Sequence, residues 1–433
     1  MKFRFPQTPF NLFLLILLAF SFASSAHAGT FYVNNAGSCA NSGSGTQTAP
    51  WCTITYGVSR ISGGDTLIVK AGTYNEQVTI NRASGTASAQ TVVKAAPGET
   101  VTIMGSGVDG GRVKLENVSY VTLDGFIITN FNQGIHVNTS DHCIVQNNTV
   151  HHVGQEGIHV QFNSSFVQVL NNTVHDTRQW QYNGEGIYVG SGSTAAKDTS
   201  NNVTVKGNTV YNVNDEGIEI KTGTHDNIVD GNNVSNALID GAYASPTSGS
   251  IEIDEAVNVG GGNQSWTSNP NHIIRNNVVH DSKSGIRAGT GCTVYNNVIY
   301  NIGGSYDGIY ADNLVSDSYQ RKIYHNTVDV TSSRAIVVSG GTSVDVKNNI
   351  GPTSTNNVAT SDSFYVNKAG HDYHLKSGVA PVNAGVNLTS VVPTDIAGVS
   401  RTANGAPDLG AYELASNTGS APAPPTSLTA TVD

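Results

Sequence analysis

From about residue 115 the chain repeats a short pattern of apolar and polar positions. Apolar residues alternate with polar ones in brief segments, and turns rich in Asn and Gly separate them. One element is Gly-Ile-x-Val or a near variant. It recurs at Gly134-Ile135, Gly157-Ile158, Gly186-Ile187, Gly217-Ile218, Ser250-Ile251, Gly285-Ile286, Gly308-Ile309 and Ala335-Ile336. A second element follows each time: QNNTV, LNNTV, KGNTV, GNNV, RNNVV, YNNVI, HNTV and KNNI. Successive Gly-Ile elements lie 23 to 35 residues apart.

Strands with apolar residues at every second position bury one face. Asn tolerates left-handed backbone, and its amide can hydrogen-bond to an Asn one rung away. Stacked at one corner, such residues form a ladder. The pattern predicts an all-β solenoid, a parallel β-helix of two or three short strands per rung. A β-propeller lacks its blade signatures here. Residues 29–105 read as an N-terminal cap and first rungs, with a short amphipathic helix over Thr53–Ile61 and strands over Asp65–Val69 and Val78–Ile80. A cap is required because an open coil end exposes apolar side chains and unpaired strands. The β-helix itself is expected over 106–415, followed by a Pro/Ser-rich tail or linker over 416–433. That tail resembles the first strand of a fibronectin type III module in PPTSLTATVD.

Composition agrees with this pattern. The chain has 433 residues with 47 Gly and 45 Asn, and only 12% of residues are charged, about half the usual share. That composition excludes a coiled coil, and a hydrophobic content of 38% argues against disorder. The formal net charge is −10, which makes nucleic acid and anionic membranes poor partners. A monomer is expected. Residues 1–28 read as a secretory signal peptide, with Lys2 and Arg4, an apolar run from Leu12 to Phe20, and Ala26-His27-Ala28 at the cleavage positions. The protein is therefore expected outside the cytoplasm. In that compartment Cys39 and Cys52 are expected to form a disulfide. Cys143 and Cys292 each precede an Asn-Asn pair by four residues. The phasing sets them five rungs apart, too far to bond, and predicts buried free thiols.

The segments FYVNNAGS, APWCTI, GGDTLIVKAGTYNEQVTI and SGTASAQTVVKAAPGETVTI, with the closing DLGAYEL, resemble the exported right-handed parallel β-helix proteins of bacteria. Many of these act on acidic polysaccharides, among them the pectate lyases and the chondroitinase B and alginate lyase group. The resemblance implies a right-handed coil and a polysaccharide substrate.

If Ile135 and its equivalents point inward, one outward column reads His136, His159, Tyr188, Glu219, Glu252, Arg287 and Tyr310. A second reads Asn138, Gln161, Gly190, Lys221, Asp254, Gly289 and Asp312. A turn position before the Gly reads Glu156, Glu185, Glu216 and, three rungs on, Asp307. Charge is concentrated in DEGIEIK (215–221) and EIDE (252–255). Like charges stacked at about 5 Å repel, so such a patch calls for a counter-ion, and Ca²⁺ suits carboxylate oxygens. The patch suits β-elimination on a uronate polysaccharide. Glu216, Glu219, Glu252 and Asp254 would hold the ion, and Lys221 would remove the C5 proton. Arg287 would grip the substrate carboxylate, and Tyr310 or His159 would return a proton to the leaving oxygen. Tyr188 and Trp266 would stack on sugar rings, together with Arg287 in a substrate-binding set. The chondroitinase B group is similar in placing two acids before a Lys, but Lys221 lies nearer Glu219 than that pattern has it. Three readings remain open at this point. Besides the lyase, they are a polygalacturonase-like hydrolase, whose signature motifs are missing, and a non-catalytic glycan-binding coil in which Lys221 and Arg287 neutralise the acids.

Overall fold

The structure, a computed structural model, describes residues 1, 28–177, 184–191, 198–221, 223–238, 250–253, 258–259, 262–263, 270–303, 306–311, 319–338 and 343–414. Residues 2–27 of the expected signal peptide and the tail over 416–433 lie outside the described residues, as do Asp254 and Trp266.

Three long parallel sheets of twelve, ten and twelve strands run the length of the coil. A rung starts on a front sheet with a strand such as Ile135–Asn138. It turns a corner into Ile144–Gln146 of a second sheet, passes the Asn-Asn pair, and continues as Thr149–His151 of a third sheet. The next rung repeats this path in register: Ile135 pairs with Ile158, Val145 with Val169 and Val150 with Val174. These apolar residues are fully buried inside the coil. The Gly before each Ile is required by close approach. A Cβ on Gly134 would lie 2.2 Å from the Gly157 carbonyl oxygen and 2.4 Å from Val150 Cγ1.

The expected ladder is present and explains the paired Asn motif. Asn148, Asn172, Asn208, Asn232, Asn277, Asn297, Asn326, Asn349 and Asn357 follow one another up one corner. Each Oδ1 accepts the backbone N–H and the side-chain Nδ2–H of the Asn one rung before, except that Asn148 Oδ1 takes the Phe126 N–H. The residue just before each ladder Asn has left-handed backbone: Asn147, Asn171, Gly207, Gly231, Asn276, Asn296, His325, Asn348 and Asn356. The first member of each pair turns the chain, and the second bonds the rungs.

The cap helix spans Ile54–Arg60, with the Thr53 hydroxyl accepting from the Tyr56 N–H, and it covers the first rung. Cys39 and Cys52 are bonded. Cys143 and Cys292 are buried free thiols that directly precede second-sheet strands five places apart. The first rungs lie within 29–105, as the expectation has them, and the coil ends before 415. Its first strand is Thr30–Val33 and its last Val358–Ala359. Residues 362–414 leave it, forming an antiparallel pair, Tyr365–Asn367 with Asp372–Leu375, and turns that pack on the third sheet through Tyr300, Ile350, Tyr373, Leu409 and Tyr412. The fully buried Arg401 fastens this segment, donating to Asn296 Oδ1 and pairing with Glu413. Among the described residues no helix is long and apolar enough to cross a membrane.

Three stability predictions arise here. Asn208→Leu strands the Asn172 N–H and the Val169 carbonyl in the core, and leaves the Asn172 amide only its bond to the Val145 carbonyl. It should cost about 3 kcal/mol or more in denaturant unfolding. Asn171→Ala, which only forces alanine into left-handed backbone, should cost about 1–2 kcal/mol. The buried His272 takes the Asn227 N–H on Nδ1, and burial pushes its pKa down to about 3. The unfolded chain therefore binds a proton that the fold refuses. The stabilisation is complete above about pH 6.5, the unfolded value, and is lost as pH falls towards 3. Thermal unfolding over that range should show a shallower decline for His272→Asn.

Candidate functional site

The front sheet sets the expected outward column in register. Lys114 pairs with His136, His136 with His159, His159 with Tyr188, Tyr188 with Glu219, Glu219 with Glu252, Glu252 with Arg287, and Arg287 with Tyr310. The residues differ from the expected solvent-facing column in being covered. His136, His159, Tyr188 and Glu219 are each at most 5% exposed. Side chains that stack at the rung spacing of about 4.8 Å shield one another, so a position that points out of the coil is still buried.

Beside this column the turn residues Gln133, Glu156, Glu185 and Glu216 lie one rung apart. The Gly134 N–H bonds to the Glu156 carbonyl, Gly157 to Glu185 and Gly186 to Glu216. Their side chains are buried too. Glu185, Glu216 and Glu219 each place a carboxylate oxygen within 4.8 Å of the others. Burial, reinforced by Glu156 and Asp215, pushes the Glu185 carboxyl up to about 8. Its Oε2 is buried with no hydrogen-bond partner.

Lys221 directly follows the strand Ile218–Ile220, tied by its N–H to the Val189 carbonyl. Its ammonium pairs with Glu219 and lies 5.6 Å from the centre of the Tyr188 ring. The Tyr188 phenol is pushed upward by burial and then by the Glu219 charge. The His159 ring meets the Tyr188 ring edge-on at 4.4 Å, and its Nε2 lies 2.7 Å from the Gly190 carbonyl oxygen. Glu216, Glu219, Lys221 and Tyr188 are thus one group, with His159 against Tyr188.

The remaining expected residues stand apart from that group. Arg287 is two rungs from Glu219, and Tyr310 is three, or about 14 Å at the rung spacing. That distance separates Tyr310 from a proton leaving near Lys221. Glu252 is described in its backbone alone, opposite Glu219 and Arg287, and Asp254 and Trp266 lie outside the described residues. Glu185 was not among the expected ion ligands, and neither was the neighbouring set of His136, Glu156 and His159, whose ligand atoms also gather within 4.8 Å. The signal for the carboxylates was the Glu-Gly-Ile triplet at 156–158, 185–187 and 216–218. Front strand and turn carry it on three consecutive rungs.

The donor set fits Ca²⁺, a hard cation that takes oxygens. Glu185, Glu216 and Glu219 supply oxygens only, and the orphaned, buried Glu185 Oε2 is left in need of a positive charge.

A coil of three parallel sheets with its rungs in register is a parallel β-helix. The Pel9A-like right-handed β-helix profile matches residues 31–313, and the chain belongs to that family. An alginate lyase from Paenibacillus sp. str. FPU-7 is similar at 18% identity and a TM-score of 0.54, over 76% of this chain and 99% of that one. The pectate lyase Pel9A is similar at 18% identity and 0.55, over 89% and 96%. A glycoside hydrolase shares the fold at 10% identity and 0.56, over 77% and 99%. No curated protein sequence matches the chain. The fold is therefore shared by polysaccharide lyases and glycoside hydrolases.

Proposed function

We propose that this is a secreted polysaccharide lyase that cleaves an acidic, uronate-containing polysaccharide by β-elimination. The observation that carries the reading is Lys221, set between Glu219 and the Tyr188 ring beside three gathered carboxylates. The disulfide Cys39–Cys52 suits an exported protein.

In this reading the Lys221 amine takes the C5 proton of the uronate. The C–H electrons form the C4–C5 double bond as the C4–O bond breaks. The Tyr188 phenol, one rung from Glu219, hands a proton to the leaving oxygen. It replaces Tyr310, which is too far along the coil. It also replaces His159, which burial holds neutral with Nε2 at the Gly190 carbonyl. The upward-shifted phenol holds its proton at neutral pH and so carries one to give as the leaving oxygen gains charge. Arg287, two rungs on, would hold a uronate carboxylate of the bound chain. Calcium held by Glu185, Glu216 and Glu219 would neutralise the substrate carboxylate and stabilise the enolate. Such an ion would draw on the Glu219 carboxylate that now pairs with Lys221, and would leave the amine freer to act as the base.

The test is incubation of the mature protein with pectate, alginate and dermatan, followed by the ultraviolet absorbance of unsaturated uronate ends. Absorbance should rise with one polymer and slow after chelation until Ca²⁺ is restored. Lys221→Ala and Tyr188→Phe should each lower kcat by roughly 10²–10⁴-fold, while Tyr310→Phe should leave it within about threefold, as expected of a residue beyond the reach of general-acid transfer. New reducing ends without absorbance would assign a hydrolase. Retention on a glycan column with neither signal would assign a binding protein.

A further inference from the structure

One and two rungs nearer the N-terminus than Glu185, three side chains outside the proposed lyase machinery gather at the same buried face. His136, Glu156 and His159 are 1%, 2% and 5% exposed, and their ligand atoms lie within 4.8 Å of one another. His159 Nε2 sits 2.7 Å from the Gly190 carbonyl oxygen, which can only accept, so Nε2 carries the ring proton and Nδ1 presents a lone pair. That lone pair faces Glu156 Oε1 at 3.9 Å. The other Glu156 oxygen takes the Gln133 amide at 2.7 Å. His159 Nδ1 and His136 Nε2 are both buried without a hydrogen-bond partner. The His159 Nδ1 lone pair is thus buried and aimed into the group without a donor of its own. An imidazole anchored on a carbonyl and a carboxylate anchored on an amide are how proteins orient metal ligands.

We propose that His159 Nδ1, Glu156 Oε1 and His136 form a site for a divalent transition metal of the zinc type, distinct in donor chemistry from the all-oxygen group around Glu219. Two imidazoles and one carboxylate suit zinc, whereas calcium takes oxygens. His136 sets the condition of entry. Its Nδ1 lies 3.2 Å from Arg112 Nη1 and 3.4 Å from Gln161 Nε2, both donors. In that state the ring proton sits on Nε2. To ligate through Nε2, His136 must move that proton to Nδ1, which the guanidinium then opposes. Arg112 therefore competes with the metal, by charge and by its hydrogen bond.

Binding is read without activity, so the test is independent of the lyase reading. The mature protein, freed of metal with a chelator, is titrated with Co²⁺ and then Zn²⁺ and followed by visible absorption and native mass spectrometry. One equivalent of Co²⁺ should develop the ligand-field bands of a low-coordinate nitrogen–oxygen site. Zn²⁺ should displace it, and excess Ca²⁺ should not. His159→Ala and Glu156→Gln should remove the signal. Gln133→Ala should weaken binding by roughly 10–100-fold, as expected of a residue that orients a ligand, and Arg112→Gln should tighten it. If His159→Ala does not fold, the opposite shifts of the Gln133 and Arg112 variants still decide the matter. A Co²⁺ signal that survives both ligand substitutions, as surface histidines such as His151 and His152 would give, overturns the proposal. So does the absence of bound metal from both the wild type and Arg112→Gln.

Discussion

Parallel strand hydrogen bonding holds successive rungs at about 4.8 Å, and every feature of this protein depends on that spacing. It is shorter than the reach of two side chains, so any residue repeated at one position in the rung must interact with its own kind. Valine and isoleucine meet this constraint inside the coil by packing. At the corner, Asn meets it by hydrogen bonding, because each amide has both a donor and an acceptor. On the front face the repeated residue is Glu, which has only acceptors.

The register followed from sequence because alternation fixes strand parity and the Gly-Ile and Asn-Asn elements fix the phase. The paired Asn motif was readable because it meets two separate demands, left-handed backbone at Asn147 and a ladder amide at Asn148. Burial was not readable. His136 and Glu219 point away from the core, and only the neighbours stacked above and below them show that they are enclosed. The role of Glu185 was hidden for a related reason. Charge density picks out residues close in sequence, such as 215–221, whereas Glu156, Glu185 and Glu216 are 29 and 31 residues apart and meet only through the rungs.

The end of the coil was misjudged for another reason. Residues 362–414 keep the small, turn-rich composition of the repeats but lose the Gly-Ile element. Composition continues where periodicity stops, and periodicity is what specifies a rung. The segment instead buries Tyr365, Tyr373 and Tyr412 against the coil and seats Arg401 beside Glu413. A buried pair of that kind depends on further hydrogen bonds, and Asn296 Oδ1 and the Gly410 and Ala411 carbonyls accept from Arg401 Nη2.

The contrast between the two stacked columns bears on why the front face is a site. Both use the same spacing, and both are buried. The Asn column is closed, since each amide is satisfied by the rungs before and after it. Along the Glu column Gln133, at one end, donates to Glu156, and Lys221 supplies a cation near the other, on Glu219. Between them the carboxyl of Glu185 is driven towards its neutral form, which is the response of a buried acid lacking a counter-charge. Asn in the same slots would have removed that cost, as it does at the corner. Buried carboxylates can only accept, so a column of them favours a positive charge beside it. On this coil that column runs beside Lys221.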